Sequence, residues 1–355
     1  MNLVINSLTN KNMNTLIKIS MAFCAFFICL QSCKKEEEKP TELKVKDIYI
    51  AGYEYNGTVF LAKYWKNGTG VVLSDVTRNA NARSIFVVGN DVYVAGDESI
   101  NGRVAKYWKN GVSHNLTDGT TTAYGYSISV SGSNVYVAGM ETNGTTSVAK
   151  LWKNGEAIIL SDGGTDGAYA TSVATSGSDV YVVFYDILDG KSYPKIWKNG
   201  VVSSLCETTY STTPMSVFAN GNDVYVAGYN SNGSNFEAKY WLNGTENSLS
   251  DGPGSSVALS IFTSGTDIFI SGYGYGGGIC TAKYWKNSVG TLLADGSKNS
   301  FANSITAFGN DVFVAGSERN SANVNVAKYW KNQIATDLTN GTYDAAANGI
   351  FITLQ

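Results

Sequence analysis

From Asp47 to Gln355 the apolar positions fall in short runs rich in Val, Ile, Tyr and Phe, broken at close intervals by Gly, Asn, Asp and Ser. No window of this region keeps a helical period, so the pattern predicts an all-β meander. The runs also repeat. The segment opening DVYVAG at Asp91 returns in imperfect copies at Asp47, Asn134, Asp179, Asp223, Asp267 and Asp311, spaced 43 to 45 residues apart. Each of the seven copies holds one tryptophan (Trp65, Trp108, Trp152, Trp197, Trp241, Trp285, Trp330), and these are all the tryptophans of the chain. Four strand-like runs in a period of this length mark a propeller blade.

The connections follow from turn chemistry. Asn-Gly follows the AKYWK run at Asn67, Asn110, Asn154, Asn199 and Asn243, where a two-residue type I′ turn needs positive φ at both positions; the other two copies carry Asn287-Ser288 and Asn332-Gln333. Gly89, Gly132, Gly177, Gly221, Gly265 and Gly309 mark a second tight turn, between the SIFVV-type run (Ser84 to Val88) and DVYVAG. Small residues opening the SIFVV run suit the crowded place nearest the axis. The expected order within a blade is therefore SIFVV, DVYVAG, AKYWK and the VVLSD type (Val71 to Asp75). Because the repeats begin on a second strand at Asp47 and end on a first, Gly349 to Gln355, the expectation is a seven-bladed β-propeller with four antiparallel strands per blade. Its ring is closed by pairing the C-terminal strand with three N-terminal strands.

The DVYVAG and AKYWKNG pattern resembles the SBBP-type bacterial β-propeller repeats over the whole of Asp47 to Gln355. The resemblance implies a propeller in an extracytoplasmic bacterial protein and carries no catalytic residues to transfer. Ahead of it, residues 1–32 read as a signal peptide: Lys11 and Lys18 give the positive region, and Ile19 to Leu30 an apolar run too short to span a bilayer. Met13 gives the segment more usual proportions than Met1. Leu30-Gln31-Ser32-Cys33 resembles the lipobox of bacterial lipoproteins, which implies cleavage before Cys33 and lipid on its sulfur. Residues 33–46, beginning CKKEEEKPTE, read as a charged tether, and 47–355 as the propeller. Acidic residues behind such a cysteine also resemble the export signal of surface lipoproteins. The expected address is the bacterial outer membrane, on its periplasmic side or at the cell surface.

Composition narrows the chemistry. The formal net charge is −3, so neither nucleic acid nor an anionic membrane surface is an expected partner. His114 is the only histidine, which disfavours Ser-His-Asp catalysis and a histidine metal site; no metal or cofactor is expected. Cys206 and Cys280 lie two blades apart, too far for a disulfide, and read as small buried hydrophobes. The repeated Lys63, Lys106, Lys150, Lys195, Lys239, Lys283 and Lys328 are expected to pack their stems between blades with the ammonium on an aromatic ring or carbonyl. Lys66 and its counterparts face the Asp that opens the neighbouring strand. Asp75, Asp118, Asp162, Asp251 and Asp295 fall one per blade, as turn formers, and no sialidase-type Asp box is present. Gly272 to Gly278 reads as a flexible loop rather than a phosphate cradle, since no helix follows it.

What remains is a surface. Antiparallel strands put both tight turns on one face of the disc and the two connections of variable length and composition on the other, where repeat proteins place their binding face. The loops before the inner strands carry Arg78, Tyr124, Tyr169, Tyr210, Phe301 and Tyr343, and the inner-strand entrances carry Arg83 and Tyr126. These eight are the candidate ligand-binding residues, since Tyr and Arg are enriched in binding hot spots and planar rings stack on sugars. The remaining loops add Tyr55, Glu98, Glu141, Asp186, Tyr275 and Arg319. The expected function is a lipid-anchored, monomeric, non-catalytic binding module for a glycan or an envelope protein. The rivals are a polysaccharide lyase or hydrolase with a site at the channel mouth, and a structural subunit of an envelope complex.

Overall fold

The computed structural model describes residues 43–161, 166–207, 209–249 and 254–355. The chain divides into two units, Met1–Lys44 and Val45–Gln355, and the strands of the described residues belong to the second. The signal segment, Cys33 and the tether up to Glu42 lie outside the described residues, as do Asp162 and Asp251.

Among the described residues there are seven four-stranded antiparallel sheets and no helix. Blades are numbered by their tryptophans, from Trp65 in blade one to Trp330 in blade seven. Blade two shows the order common to all: Ala80–Val88, Asp91–Ser99, Arg103–Lys109 and Val112–Asn115. The first strands of successive blades touch one another, and Ala345–Leu354 in turn touches Ala80–Val88, so these seven strands line the axis and the ring is closed. Blade one is the composite blade: Ala345–Leu354 pairs with Val45–Tyr55, followed by Phe60–Lys66 and Thr69–Val72. Its first N-terminal strand begins ahead of Asp47, because Val45 pairs with Leu354 and packs into the core between blades seven and one.

Turn geometry agrees with the residues that occupy it. Asn67 and Gly68 have φ of 49° and 84°, while Asn287-Ser288 and Asn332-Gln333 hold the same left-handed pair at 50° and 68°, and at 50° and 71°. The asparagine does more than tolerate this conformation. Asn110 Oδ1 accepts the Val92 N–H at 2.8 Å and its Nδ2 donates to Asp91 Oδ1 at 2.8 Å, so the turn is tied back to the residue opening the second strand. The same pair of bonds recurs from Asn67 to Asn332.

The core is divided by interface. Each tryptophan packs on the preceding blade: Trp108 against Ala51, Ala62 and Leu73, Trp152 against Tyr93 and Ala95, and Trp65, across the closure, against Phe313, Ala315 and Ala327. Burying a tryptophan at every interface is the main force joining blades that share no sheet hydrogen bonds. The glycine of DVYVAG makes room for it. A Cβ on Gly139 would fall 1.9 Å from the Tyr124 carbonyl oxygen and 3.0 Å from Cζ3 of Trp152.

That close approach comes from a β-bulge in every inner strand, which leaves one residue unpaired: Arg83, Tyr126, Thr171, Met215, Leu259, Asn303 and Asn348. The next residue is the repeated serine. Ser84 Oγ accepts the Ile128 N–H at 3.2 Å, and Ser127, Ser172, Ser216, Ser260 and Ser304 each accept an N–H from the following blade in the same way. Gly349 breaks the series where the ring closes: a Cβ there would lie 3.2 Å from Ser84 Cα. The serines are inter-blade acceptors, and the stretch expected to be a loop at Gly272 to Gly278 is instead the end of strand Asp267–Gly276 and its hairpin turn, with Gly277 and Gly278 at φ 60° and 85°.

Candidate functional site

The bulged residues lie toward the variable-loop face, because the inner strands start there. Four of them reach the next blade: Thr171 Oγ1 donates to the Pro214 carbonyl at 2.8 Å, Asn303 Nδ2 to the Ala347 carbonyl at 2.9 Å, Asn348 Nδ2 to the Ala82 carbonyl at 2.9 Å, and Arg83 lies 5.4 Å from the Tyr126 ring centroid. A backbone pattern common to all blades thus displays seven side chains of six kinds in a circle. One arc of it is charged and aromatic.

In that arc Arg83 Nε donates to Asp97 Oδ1 at 2.7 Å, and Arg103 Nη1 stands 3.2 Å from Asp97 Oδ2 without hydrogen-bond alignment. Asp97 is 0% exposed, whereas the two arginine side chains are 28% and 29% exposed. The aspartate is a buried brace holding two guanidinium groups at the surface. Arg83 lies over Tyr124 at 5.3 Å and Arg103 over the same ring at 5.7 Å, with Tyr124 and Tyr126 parallel at 5.9 Å. Tyr169 continues the arc: its ring stacks on Tyr185 at 5.4 Å and its hydroxyl accepts from Ser147 Oγ at 3.2 Å. Beside Arg103, between blades one and two, a cleft of about 390 Å³ is lined by Tyr53, Phe60, Asn79, Ala80 and Asn81.

Burial pushes Tyr126 well above the ordinary phenol range, with Arg83 opposing, and pushes Tyr185 up to about 12. Burial also raises Tyr53, helped by Asp344 and opposed by Arg83. A tyrosine serving as general base needs the opposite shift.

Of the eight candidate residues, the structure brings together Arg83, Tyr124, Tyr126 and Tyr169, and places Tyr124, Tyr169 and Phe301 inside the inner strands rather than in the loops before them. The other four stand apart. Arg78 sits in an outer loop 3.7 Å from Asp75, Tyr210 is 52% exposed in blade five beside Asn232 and Phe236, Phe301 packs edge-on against Tyr273, and Tyr343 packs against Tyr55. Arg103, Asp97 and Tyr185 are the partners that sequence reasoning missed. A signal for two of them exists, because the residue after the DVYVAG glycine, whose place is taken by Phe184 in the fourth copy, changes from copy to copy: Tyr53, Asp97, Met140, Tyr185, Tyr229, Tyr273, Ser317.

Glu98, Glu141 and Asp186 are not loop residues. They end the second strands and pair with Lys106, Lys150 and Lys195, as Glu54 and Glu318 pair with Lys63 and Lys328. The lysine does lie near its tryptophan, at 5.7 Å for Lys106 and Trp108, but a carboxylate is its charged partner because an ammonium this buried needs one. Asp75 and Asp118 form turns as expected, each accepting from a threonine N–H and hydroxyl. Cys206 and Cys280 are half-buried free thiols, and burial pushes Cys206 up to about 11. His114 stacks on Tyr107 at 4.7 Å in an outer strand. An axial cavity of about 400 Å³ on the tight-turn side of the serines is lined by Phe86, Phe218, Phe262 and Phe351 and by no charged residue.

No protein-family model matches the chain, and no curated protein matches it. Among solved structures, TolB from Acinetobacter baumannii is similar with 12% identity and a TM-score of 0.47, over 82% of this chain and 72% of that one. A putative TolB from Agrobacterium tumefaciens is similar with 10% identity and a TM-score of 0.43, over 87% and 99%. A thermostable family-43 glycoside hydrolase follows with 11% identity and a TM-score of 0.38, over 63% and 95%. At these values none of the likenesses carries a functional argument.

Proposed function

We propose that the protein is a non-catalytic glycan-binding module, a rigid propeller that holds a carbohydrate on its variable-loop face. One observation carries this reading: two guanidinium groups braced by a fully buried aspartate stand among Tyr53, Tyr124 and Tyr126, beside a cleft lined with asparagines. Aromatic faces, amides and fixed guanidinium groups are what a sugar's apolar face and hydroxyls require. The brace also supports binding over catalysis. An Arg, a Tyr and a carboxylate do converge at the channel mouth, as a lyase or hydrolase would need, but the carboxylate is 0% exposed and bound to Arg83, out of reach of a glycosidic bond. The raised tyrosines are poor bases as well. The rim offers less: its exposed apolar residues, such as Val112, Val201 with Val202, Val289 with Leu292, and Ile334, come at most two to an outer strand and on separate blades.

In this reading Cys33 carries a lipid, the residues from there to Lys44 form the tether, since Val45 already belongs to the first strand, and the module works outside the cytoplasm at the outer membrane. The chain enters the ring at Val45 on the tight-turn side, opposite Leu354, which leaves the variable loops on the other face of the disc. A glycan array followed by assay for product release tests the function. The expected outcome is retention without turnover, lost on replacing Tyr124 and Tyr169 by Ala with the thermal transition kept. Product release would install the enzyme reading, and an array with no retained glycan would favour a protein partner in the envelope.

A further inference from the structure

We propose that the sugar recognised on the variable face is acidic, and that Arg83 receives its carboxylate. This rests on the glycan reading and names the class of glycan. Arg83 is the bulged residue of blade two, and its hydrogen bonding is one-sided. Nε is spent on Asp97, while among the described residues neither Nη atom has a hydrogen-bond acceptor. Arg103, by contrast, is tied on several sides, its Nη1 donating to the Asn79 carbonyl at 3.4 Å and to Ser99 Oγ at 3.3 Å besides facing Asp97.

A guanidinium fixed through Nε presents its two terminal groups as a planar fork that matches a carboxylate. The fork is also pre-aimed. A bidentate side chain anchored by a buried carboxylate and packed over the Tyr124 and Tyr126 rings loses little rotamer freedom on binding. Charge decides between anions. Arg83 and Arg103 share the single carboxylate of Asp97, so the arc carries one surplus positive charge. Of the other carboxylates, Glu98 pairs with Lys106, while Asp344, which accepts the neutral Asn325 N–H at 2.9 Å, keeps its charge near Tyr53 and works further against a dianion. One surplus charge balances the single charge of a carboxylate and leaves a phosphate monoester, at about −1.5 to −2, undercompensated. A uronic acid unit supplies that carboxylate on the rim of a ring whose face can lie on Tyr124 or Tyr126, with the next residue of the chain in the cleft by Asn79 and Asn81.

The test is titration calorimetry of the protein with a glucuronic acid oligosaccharide and with the same oligosaccharide after its carboxyl groups have been reduced to alcohols. The expected result is binding of the acidic form at least about tenfold tighter, the range of a charge-assisted hydrogen bond, weakening with added salt. Arg83→Lys, which keeps the charge but loses both the Nε bond to Asp97 and the fork, should remove most of that difference between the two forms. Equal affinity of the unaltered protein for the two forms overturns the acidic-sugar inference and leaves the glycan reading standing. Binding of neither form, with glycan binding absent on the array as well, overturns both. Binding of an acidic peptide as tightly as the uronate overturns the assignment of the fork to a sugar. The comparison of the two ligands needs no mutation, so it stands even where Arg83→Lys fails to fold.

Discussion

Ser172 Oγ accepts the Val217 N–H at 3.1 Å in a buried bond between inner strands. Its contribution is large for so small a group because the donor it satisfies belongs to the backbone of the next blade. Ser172→Ala leaves that N–H buried without an acceptor, a loss of about 1–3 kcal/mol. Urea denaturation should show it as a lower midpoint with an unchanged slope. In the sequence the small size of Ser84, Ser127 and their counterparts was legible as a steric requirement of the axis. The hydroxyl's purpose was not, because its partner lies one blade away and only the closed ring brings the two together. The same holds for Arg83, whose partner Asp97 is found by a bulge that shifts the strand register by one residue. Tyr124 and Tyr126 could be chosen from the sequence as aromatic residues near the mouth, whereas Arg103 gave no sign of belonging with them.

At the scale of the element, the second and third strands of five blades are clamped at one end by Lys, Asp and Asn; blade three has Asn134 in place of the Asp and blade five Leu242 in place of the Lys. The ammonium of Lys109 holds Asp91 below the ordinary carboxylate range, with Asn110 adding to it, and Lys198, Lys286 and Lys331 do the same to Asp179, Asp267 and Asp311. At Asp47 the Asn67 amide is the larger cause. Because folding lowers these values, the stabilisation is fully present above the carboxylate's ordinary range and is lost as pH falls through about 4 and below. Thermal midpoints recorded across that window should drop, and Asp91→Asn should flatten the drop slightly, since exposed pairs contribute little each. The hairpins were the most legible part of the fold. Asn-Gly has few conformations to choose from, and even Asn332-Gln333 was forced into the same pair by the strands on either side. Glu98 and Asp186 were misplaced in the sequence for the converse reason: they fall next to a loop, and burial against Lys106 and Lys195 is set by the neighbouring strand rather than by local pattern.

For the molecule as a whole, closure is the decisive feature. Ala345–Leu354 supplies both the inner edge of blade one and the Ile350 surface that covers Trp65. Deleting residues 345–355 strips the inner partner from Val45–Tyr55 and exposes two inter-blade interfaces at once. The expected outcome in calorimetry is loss of the single cooperative transition, because blades that share no sheet hydrogen bonds depend on a complete ring. The closing blade also has a mechanical meaning. Where the other blades have a glycine turn, blade one has the incoming Val45 opposite Leu354, and from there the strand runs the thickness of the disc to Tyr55 on the variable face. A ligand gripping that face and a tether pulling on Val45 would load this strand along its length, across the hydrogen bonds to its neighbours on both sides. Such bonds resist together in shear instead of opening one after another like a zip, so the blade that joins the two ends of the chain is built as the anchor bolt of the disc.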